Sequence, residues 1–458
     1  MNISIETYGA NNDGTFNNAE IIQKAIDQVS AAGGGRVTIP AGGVYLSGSI
    51  EVKENVELHL ETGAVLRASS DYADYTDNHN IKNLTHGEVD EFVLPQRAFI
   101  VAFKAHHARL SGGGTIDGNA DEFIAERGTY IHKMRGPVGG RDQYLERPFT
   151  LFFIECQNLT ISDLTIKDPA FWALRTTGCN ELLIDGIRIL TDLMVPNADG
   201  VDIDRCRNVR ILNCEFVTAD DCISLKSCSQ TAQYGDVANV IISNCIMTST
   251  SGAITLGTES VGDIKNVIVS NCIVKDSHRG FAVRAREGGT ISNVRFSNSL
   301  VHTRTFSDMW WGHGEALHVT AFSWDDPAKG TDGNIERTYE GFVRDITFEN
   351  ITCHTEAGIL NYAARPELIN GITYRNVDVH LAKESKWDSR IDLRPNGIEH
   401  VLHRKHNAFE VVNTSNLTLD HCSVIWNSSD REAYGETIFE SGSIGFASHG
   451  FTESTRVS

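Results

Sequence analysis

From Asn158 onward, apolar and polar residues alternate in short runs that recur along the chain. The runs read NLTISDLTI from Asn158, NVRILNCEF from Asn208, NVIISNCIM from Asn239, NVIVSNCIV from Asn266, NVRFSNSLV from Asn293 and NLTLDHCSV from Asn416, with a looser copy, NELLIDGIRI, from Asn180. Val and Ile alternating with Ser, Asn, Asp or Arg is the period-2 signature of strands with one buried face, and a short turn divides two such strands in each copy. From Asn180 to Asn293 the pattern advances 113 residues in four steps, about 28 per step, within the roughly 20 to 50 residues that mark solenoids. Strands recurring once per coil stack in parallel. Helical periods are absent after the N-terminal region, so the pattern predicts an all-β parallel β-helix rather than a βαβ sheet.

A solenoid needs its ends covered, because an open end exposes an unpaired edge and an apolar core. Residues 16 to 32, FNNAEIIQKAIDQVSAA, carry apolar side chains at helical spacing and run into Gly33, Gly34 and Gly35, which predicts an N-terminal capping helix. The glycine run lacks a following Lys-Ser/Thr and precedes the strand-like RVTIP, so it reads as a turn and not a phosphate loop. Cysteine falls six residues after the repeat Asn at Cys214, Cys245, Cys272 and Cys422, with Ser299 in the equivalent place. Ten cysteines spread through a long chain on that spacing read as a buried ladder of small side chains, not as disulfides or metal ligands.

At 458 residues the chain exceeds an ordinary globular domain, and repetition along one axis accounts for it. A single β-helix domain over 1–458 is expected, with cap and first coils in 1–50, catalytic coils in 150–300, an inserted loop at 302–342 and further insertions at 68–98 and 118–148. A formal net charge of -20 argues against nucleic acid or anionic membrane as partner, since such binding needs excess Lys and Arg. The opening MNISIETYGANNDG has neither a basic nor an apolar leader region, and no apolar run approaches the roughly 20 residues of a membrane span. A soluble, cytoplasmic protein is expected on that basis, with no cofactor.

Two segments break the alternation with acids at turn positions: Asn197-Ala198-Asp199-Gly200 and Ala219-Asp220-Asp221-Cys222. Asp199 and Asp220 are 21 residues apart, nearly one coil, and equivalent positions on adjacent parallel strands lie about 4.8 Å apart. Carboxylates held that close raise one another's pKa, so one can stay protonated as an acid while another remains ionised. Two carboxylates with separate roles suit glycoside hydrolysis; a solvated acidic loop or a cation site fits the spacing too. Asp220 and Asp221 would face opposite ways on a regular strand, so they are expected on a bend.

These motifs resemble the polygalacturonase family, glycoside hydrolase family 28, as a divergent bacterial-type member. The resemblance runs through TYGANNDGTFNNAEIIQKAID, GGGRVTIPAG, TGAVL, GGGTIDG, RPFTLFFIECQN and PAFWALRTTGCN to NADGVDID and DDCISLKS. It implies a right-handed parallel β-helix and an inverting, pectin-directed glycosidase. By position, the general acid falls on Asp220 and the pair activating the hydrolytic water on Asp199 and Asp221. Lys226 and Ser227 complete the last motif, with a mainly structural part expected.

The chain departs from the family pattern in three places. Ser251 stands where the family's next motif has His, Ala282 and Arg284 replace the Arg and Lys of an Arg-X-Lys motif, and Arg175 stands where many relatives have His. A uronate carboxylate needs a fixed cation, preferably Arg for its bidentate geometry, and Arg284 with Arg175, Arg286 or Arg304 offers one. Asn197, Ser251 and Lys226 join the side chains expected at substrate. Trp310 and Trp311, flanked by Gly312, suit sugar stacking or anchoring of a long loop. His400, His403 and His406 sit in a loop without a Cys among them, and no metal site is expected. The reading is an exo-acting inverting hydrolase of pectin-derived oligosaccharides, galacturonide or rhamnogalacturonan. A uronate lyase or epimerase, or an inactive carbohydrate-binding solenoid, are the alternatives.

Overall fold

The computed structural model describes residues 1–77, 79, 81–84, 96–135, 146–308, 311–323, 340–394 and 401–456. Parts of the three expected insertions, together with Trp310 and His400, lie outside the described residues. The chain divides into two compact units, one of Met1–Asp220 with Gln233–Gly235 and one of Asp221–Ala232 with Asp236–Ser458.

In the N-terminal unit each coil carries three short strands. Phe149–Ile154, Gln157–Ser162 and Thr165–Lys167 make one coil; Leu174–Thr177, Asn180–Asp185 and Arg188–Leu190 make the next; Val201–Asp204, Arg207–Leu212 and Glu215–Thr218 follow. Strands pair in parallel from one of these coils to the next, Leu151 with Leu174 and Leu174 with Val201 on one face, Leu182 with Val209 on the next. The alternation is thereby converted into a continuous core, because Leu182, Ile184, Val209 and Ile211 all point inward and are fully buried. Each such side chain contributes roughly 1.5–3 kcal/mol by leaving water.

The repeat asparagines are explained by the corners. Asn158, Asn208 and Asn213 hold left-handed backbone, φ 53 to 58°, a conformation that Asn tolerates better than most non-glycine residues. They also stack, Asn208 Nδ2 donating to Asn180 Oδ1 at 2.8 Å and Asn213 Nδ2 to Asp185 Oδ1 at 2.8 Å. Helix α1 (Ala19–Ala31) lies within the expected 16–32 and turns Ile22, Ala25, Ile26 and Val29 onto the first coil. It ends in Gly33, Gly34 and Gly35, all at positive φ.

The C-terminal unit repeats the plan. Val267, Val294, Ile346, Ile372 and Leu417 form one inward column through successive parallel pairings. An aromatic column stacks beside it, Phe296 on Phe348 at 4.9 Å and Phe348 on Tyr374 at 5.0 Å between ring centroids. Strands Phe342–Thr355 and Ile369–Leu381 are coils that the Asn-led pattern missed, because Asp345 and Gly371 hold the left-handed corner where Asn stands elsewhere. Among the described residues no helix is long and apolar enough to cross a membrane. All ten cysteines are buried, as the ladder reading expected. Cys245, Cys272 and Ser299 occupy one such row, Cys272 N donating to Ser299 Oγ at 3.2 Å. A second row, Cys156, Cys179 and Cys206, runs through the N-terminal unit, each backbone N–H of the first two donating to the next sulfur.

Candidate active site

In the N-terminal unit two acids emerge from turns anchored in one apolar cluster. Ala198 and Ala219, each immediately before an acid, pack together with Ala170, Val195 and Phe123. Asp199 is 3% exposed and its carbonyl accepts from Ala173 N at 2.9 Å, which fixes it to the preceding coil. Asp220 is half-buried and lies in the expected bend. That bend is held by hydroxyls: Ala219 N donates to Thr191 Oγ1 at 3.0 Å, and Thr218 Oγ1 donates to the Asp220 carbonyl at 2.5 Å. The Asn197 turn is held by Arg147, whose buried guanidinium donates to the carbonyls of Ala170 and Pro196 at 3.0 and 2.7 Å and to Asn197 Oδ1 at 3.4 Å. Arg147 lies in the RPFTLFF motif but was not singled out as a site residue.

In the C-terminal unit Asp221 is 7% exposed. Ser251 Oγ donates to its Oδ1 at 3.2 Å, and Cys222 N donates to the Gly252 carbonyl at 2.9 Å. A Cβ at Gly252 would sit 2.6 Å from Asp221 Oδ1, so any side chain there would push the carboxylate aside. Ser251, standing where the family motif has His, thus gives Asp221 a polar contact without a titratable group.

Arg284 is 4% exposed on the strand Ile273–Ala285. Burial lowers its guanidinium to about 9, with Arg279 adding repulsion and Asp221, Asp392 and Glu259 opposing. Its Nη2 donates to the Arg394 carbonyl at 2.7 Å, and its Cζ lies 5.8 Å from the Trp311 ring centre. Trp311 keeps 37% of its surface exposed. A desolvated guanidinium beside an open aromatic face and in the field of carboxylates is suited to a ligand carrying both a sugar face and a carboxylate.

The family model described as glycosyl hydrolases family 28 matches residues 31–304. The chain belongs to glycosyl hydrolases family 28. The exo-poly-alpha-D-galacturonosidase of Dickeya chrysanthemi is 28% identical over 292 residues, 56% of this chain and 48% of that protein. The chain spans about half the length of the curated relatives it matches. Two solved structures share the fold. The exopolygalacturonase of Thermotoga maritima is 20% identical with a TM-score of 0.66, covering 84% of this chain and 88% of its own. The family 28 exopolygalacturonase of Yersinia enterocolitica is 18% identical with a TM-score of 0.67, covering 100% and 78%. The fold class is the right-handed parallel β-helix that the resemblance implied.

Two of the arginines expected at substrate make internal ties in this family-28 chain. Arg175 is 1% exposed, donates to Asp204 Oδ2 at 3.0 Å and to the Leu84 carbonyl at 2.9 Å, and lies 5.1 Å over the Phe152 ring. Arg286 is fully buried and donates to the carbonyls of Ala285 and Thr320 and to Thr320 Oγ1, with Phe322 beneath it. Each meets a partner that sequence spacing could not reveal. Lys226 pairs with Glu259 at 3.1 Å, both largely buried, and Arg304 forms a forked pair with Asp276. His403 is exposed, while burial lowers His406 to about 3, which keeps it neutral in ordinary conditions. Asp392, Arg394 and Arg279, in contrast, carry no motif and were missed.

Proposed function

We propose that this family-28 chain is an inverting, exo-acting hydrolase of galacturonide oligosaccharides, with Asp220 as general acid and Asp199 and Asp221 as the base pair. The observation that carries the reading is Arg284: a guanidinium stripped of water, open toward Trp311 and electrostatically coupled to Asp221. It favours uronates over neutral sugars and links the cation to one of the acids in the DDCISLKS motif. Exo action is supported by the Dickeya, Thermotoga and Yersinia relatives, whose names carry it.

In this reading the Asp220 proton passes to the glycosidic oxygen as the bond from anomeric carbon to that oxygen breaks. A water attacks the anomeric carbon from the opposite face and gives its proton to the carboxylates of Asp199 and Asp221. Inversion requires room for that water, with acid and base carboxyls roughly 6.5–9.5 Å apart. The roles follow from the positions of the acids in the NADGVDID and DDCISLKS motifs.

Asp220→Asn removes the transferable proton while keeping size and polarity. Turnover of trigalacturonate is expected to fall by about a thousandfold, within the roughly 10²–10⁴-fold range of general-acid contributions, with thermal stability nearly unchanged. Near-normal activity would remove Asp220 from the acid role.

A further inference from the structure

The side chains that favour a uronate are themselves held by a residue outside the repeat. Ile391–Asp392 forms a small antiparallel ribbon with Val401–Leu402, and Ile391 and Leu393 are anchored in an apolar cluster with Phe322 and Leu360. Asp392 on that ribbon is fully buried. Its Oδ1 accepts from Arg394 N and Nε, both at 3.0 Å. Its Oδ2 accepts from Arg394 Nη2 at 2.6 Å and from Gly312 N at 3.1 Å.

Each contact leads to one half of the uronate-facing pair. The Arg394 backbone, fixed by its own N–H and guanidinium on Asp392, presents the carbonyl that takes Arg284 Nη2 at 2.7 Å. Gly312 follows Trp311 directly, and its N–H on Asp392 sets the peptide from which the indole projects. Gly312 has φ +100°, and a Cβ there would fall 2.5 Å from Arg279 Nε, so a side chain at this position would be strained. The Gly312 carbonyl also accepts from His278 Nε2 at 2.6 Å. One carboxylate thus fixes the relative placement of a cation and an aromatic face that would otherwise belong to independent elements.

We infer that Asp392 is a positioning residue for uronate recognition, registering Arg284 and Trp311 through the Arg394 carbonyl and the Gly312 N–H. The inference rests on the proposed function, since it explains how that site keeps its selectivity for a carboxylate. Asp392 lies beyond residues 31–304, so the device is not part of the matched family region. A neutral Asn in its place keeps one acceptor but adds an NH2 group facing the Arg394 and Gly312 donors, and the Arg394 backbone and the Trp311 peptide lose their common anchor. Misplacing a binding group by a fraction of an ångström is enough to weaken recognition strongly.

The test compares trigalacturonate with its fully methyl-esterified form in the wild type, Asp392→Asn, Arg284→Ala and the double variant. Asp392→Asn is expected to raise KM for trigalacturonate about tenfold, with kcat and the methyl ester affected far less. In the Arg284→Ala background the same substitution should add much less than it does alone, because the arm through the Arg394 carbonyl no longer has a cation to place and only the Trp311 arm remains. Arg394→Gln, which removes the guanidinium arm of the tie at a partly exposed side chain, should raise KM in the same direction and covers the case that Asp392→Asn does not fold. Equal losses on both substrates, or additive losses in the double variant, would overturn the inference while leaving a working galacturonidase. A wild type that neither binds nor cleaves trigalacturonate would remove the proposed function, and this inference with it.

Discussion

The Ser251 hydroxyl donates to Asp221 Oδ1 at 3.2 Å, in the place where the resemblance led us to expect a histidine. A hydroxyl can orient the carboxylate but cannot change its charge with pH. Ser251→Ala should therefore lower kcat modestly, by about fivefold for one lost hydrogen bond of roughly 1 kcal/mol. Gly252→Ala should do more, because its Cβ would crowd Asp221 Oδ1 and Thr255 Oγ1, at 2.6 and 2.7 Å. The carboxylate can swing aside, so turnover should drop while the melting temperature barely moves. Initial rates on trigalacturonate check the order; a larger effect from Ser251→Ala would contradict it.

The Arg175–Asp204 pair predicts a change in stability rather than in activity. Both side chains are essentially inaccessible, at 1% and 0%. Arg175→Met leaves Asp204 charged and buried, at a cost of about 3–5 kcal/mol, while KM for trigalacturonate stays put. Replacing both, as R175M with D204L, should recover most of the loss, since paired apolar groups are often as stable as a buried ion pair. Denaturant unfolding of the wild type and the two variants measures this.

Asp392 gives the fold an acid-side sensitivity. Burial acts to raise its carboxyl, but hydrogen bonding from Arg394 and the charges of Arg279 and Arg394 outweigh it and hold the group at about 2. A depressed carboxyl contributes stability that is fully present above its unfolded value near 3.9 and is lost as pH falls toward about 2. Asp392→Asn should therefore flatten the fall in unfolding free energy across that window by on the order of 2 kcal/mol. An unchanged slope between about pH 4 and pH 2 would show that the tie does not carry that energy.

The burial of the cysteines predicts inertness. All ten cysteines are buried, and burial raises the Cys353 thiol well above its usual range. Aromatic disulfide reagents should label almost none in the native chain and all ten after unfolding, and reductant should leave the melting temperature unchanged.

The coil was legible in the sequence because its causes are local. Alternating Val and Ile make the strands, Asn at φ near +55° makes the corners, and the row from Cys245 through Ser299 keeps one small side chain per turn. The coils at Phe342–Thr355 and Ile369–Leu381 were missed where Asp345 and Gly371 do the work of Asn by a different chemistry. The acids stood out as breaks in the alternation. What surrounds them did not, because partners such as Asp204 for Arg175, Thr320 for Arg286 and Asp392 for Gly312 are 29, 34 and 80 residues away. Arg284 and Arg286 are two residues apart and share a charge, and only packing separates one facing Trp311 from one sealed over Phe322.

The account rests on inverting hydrolysis, and the anomer first released is its most direct measure. Proton NMR spectra taken within the first minutes of trigalacturonate cleavage, before mutarotation, should show the new reducing end as the β anomer, inverted from the α linkage. Appearance of the α anomer first would mean retention through a covalent intermediate, an unsaturated product would mean elimination, and either would contradict the roles assigned to Asp199, Asp220 and Asp221.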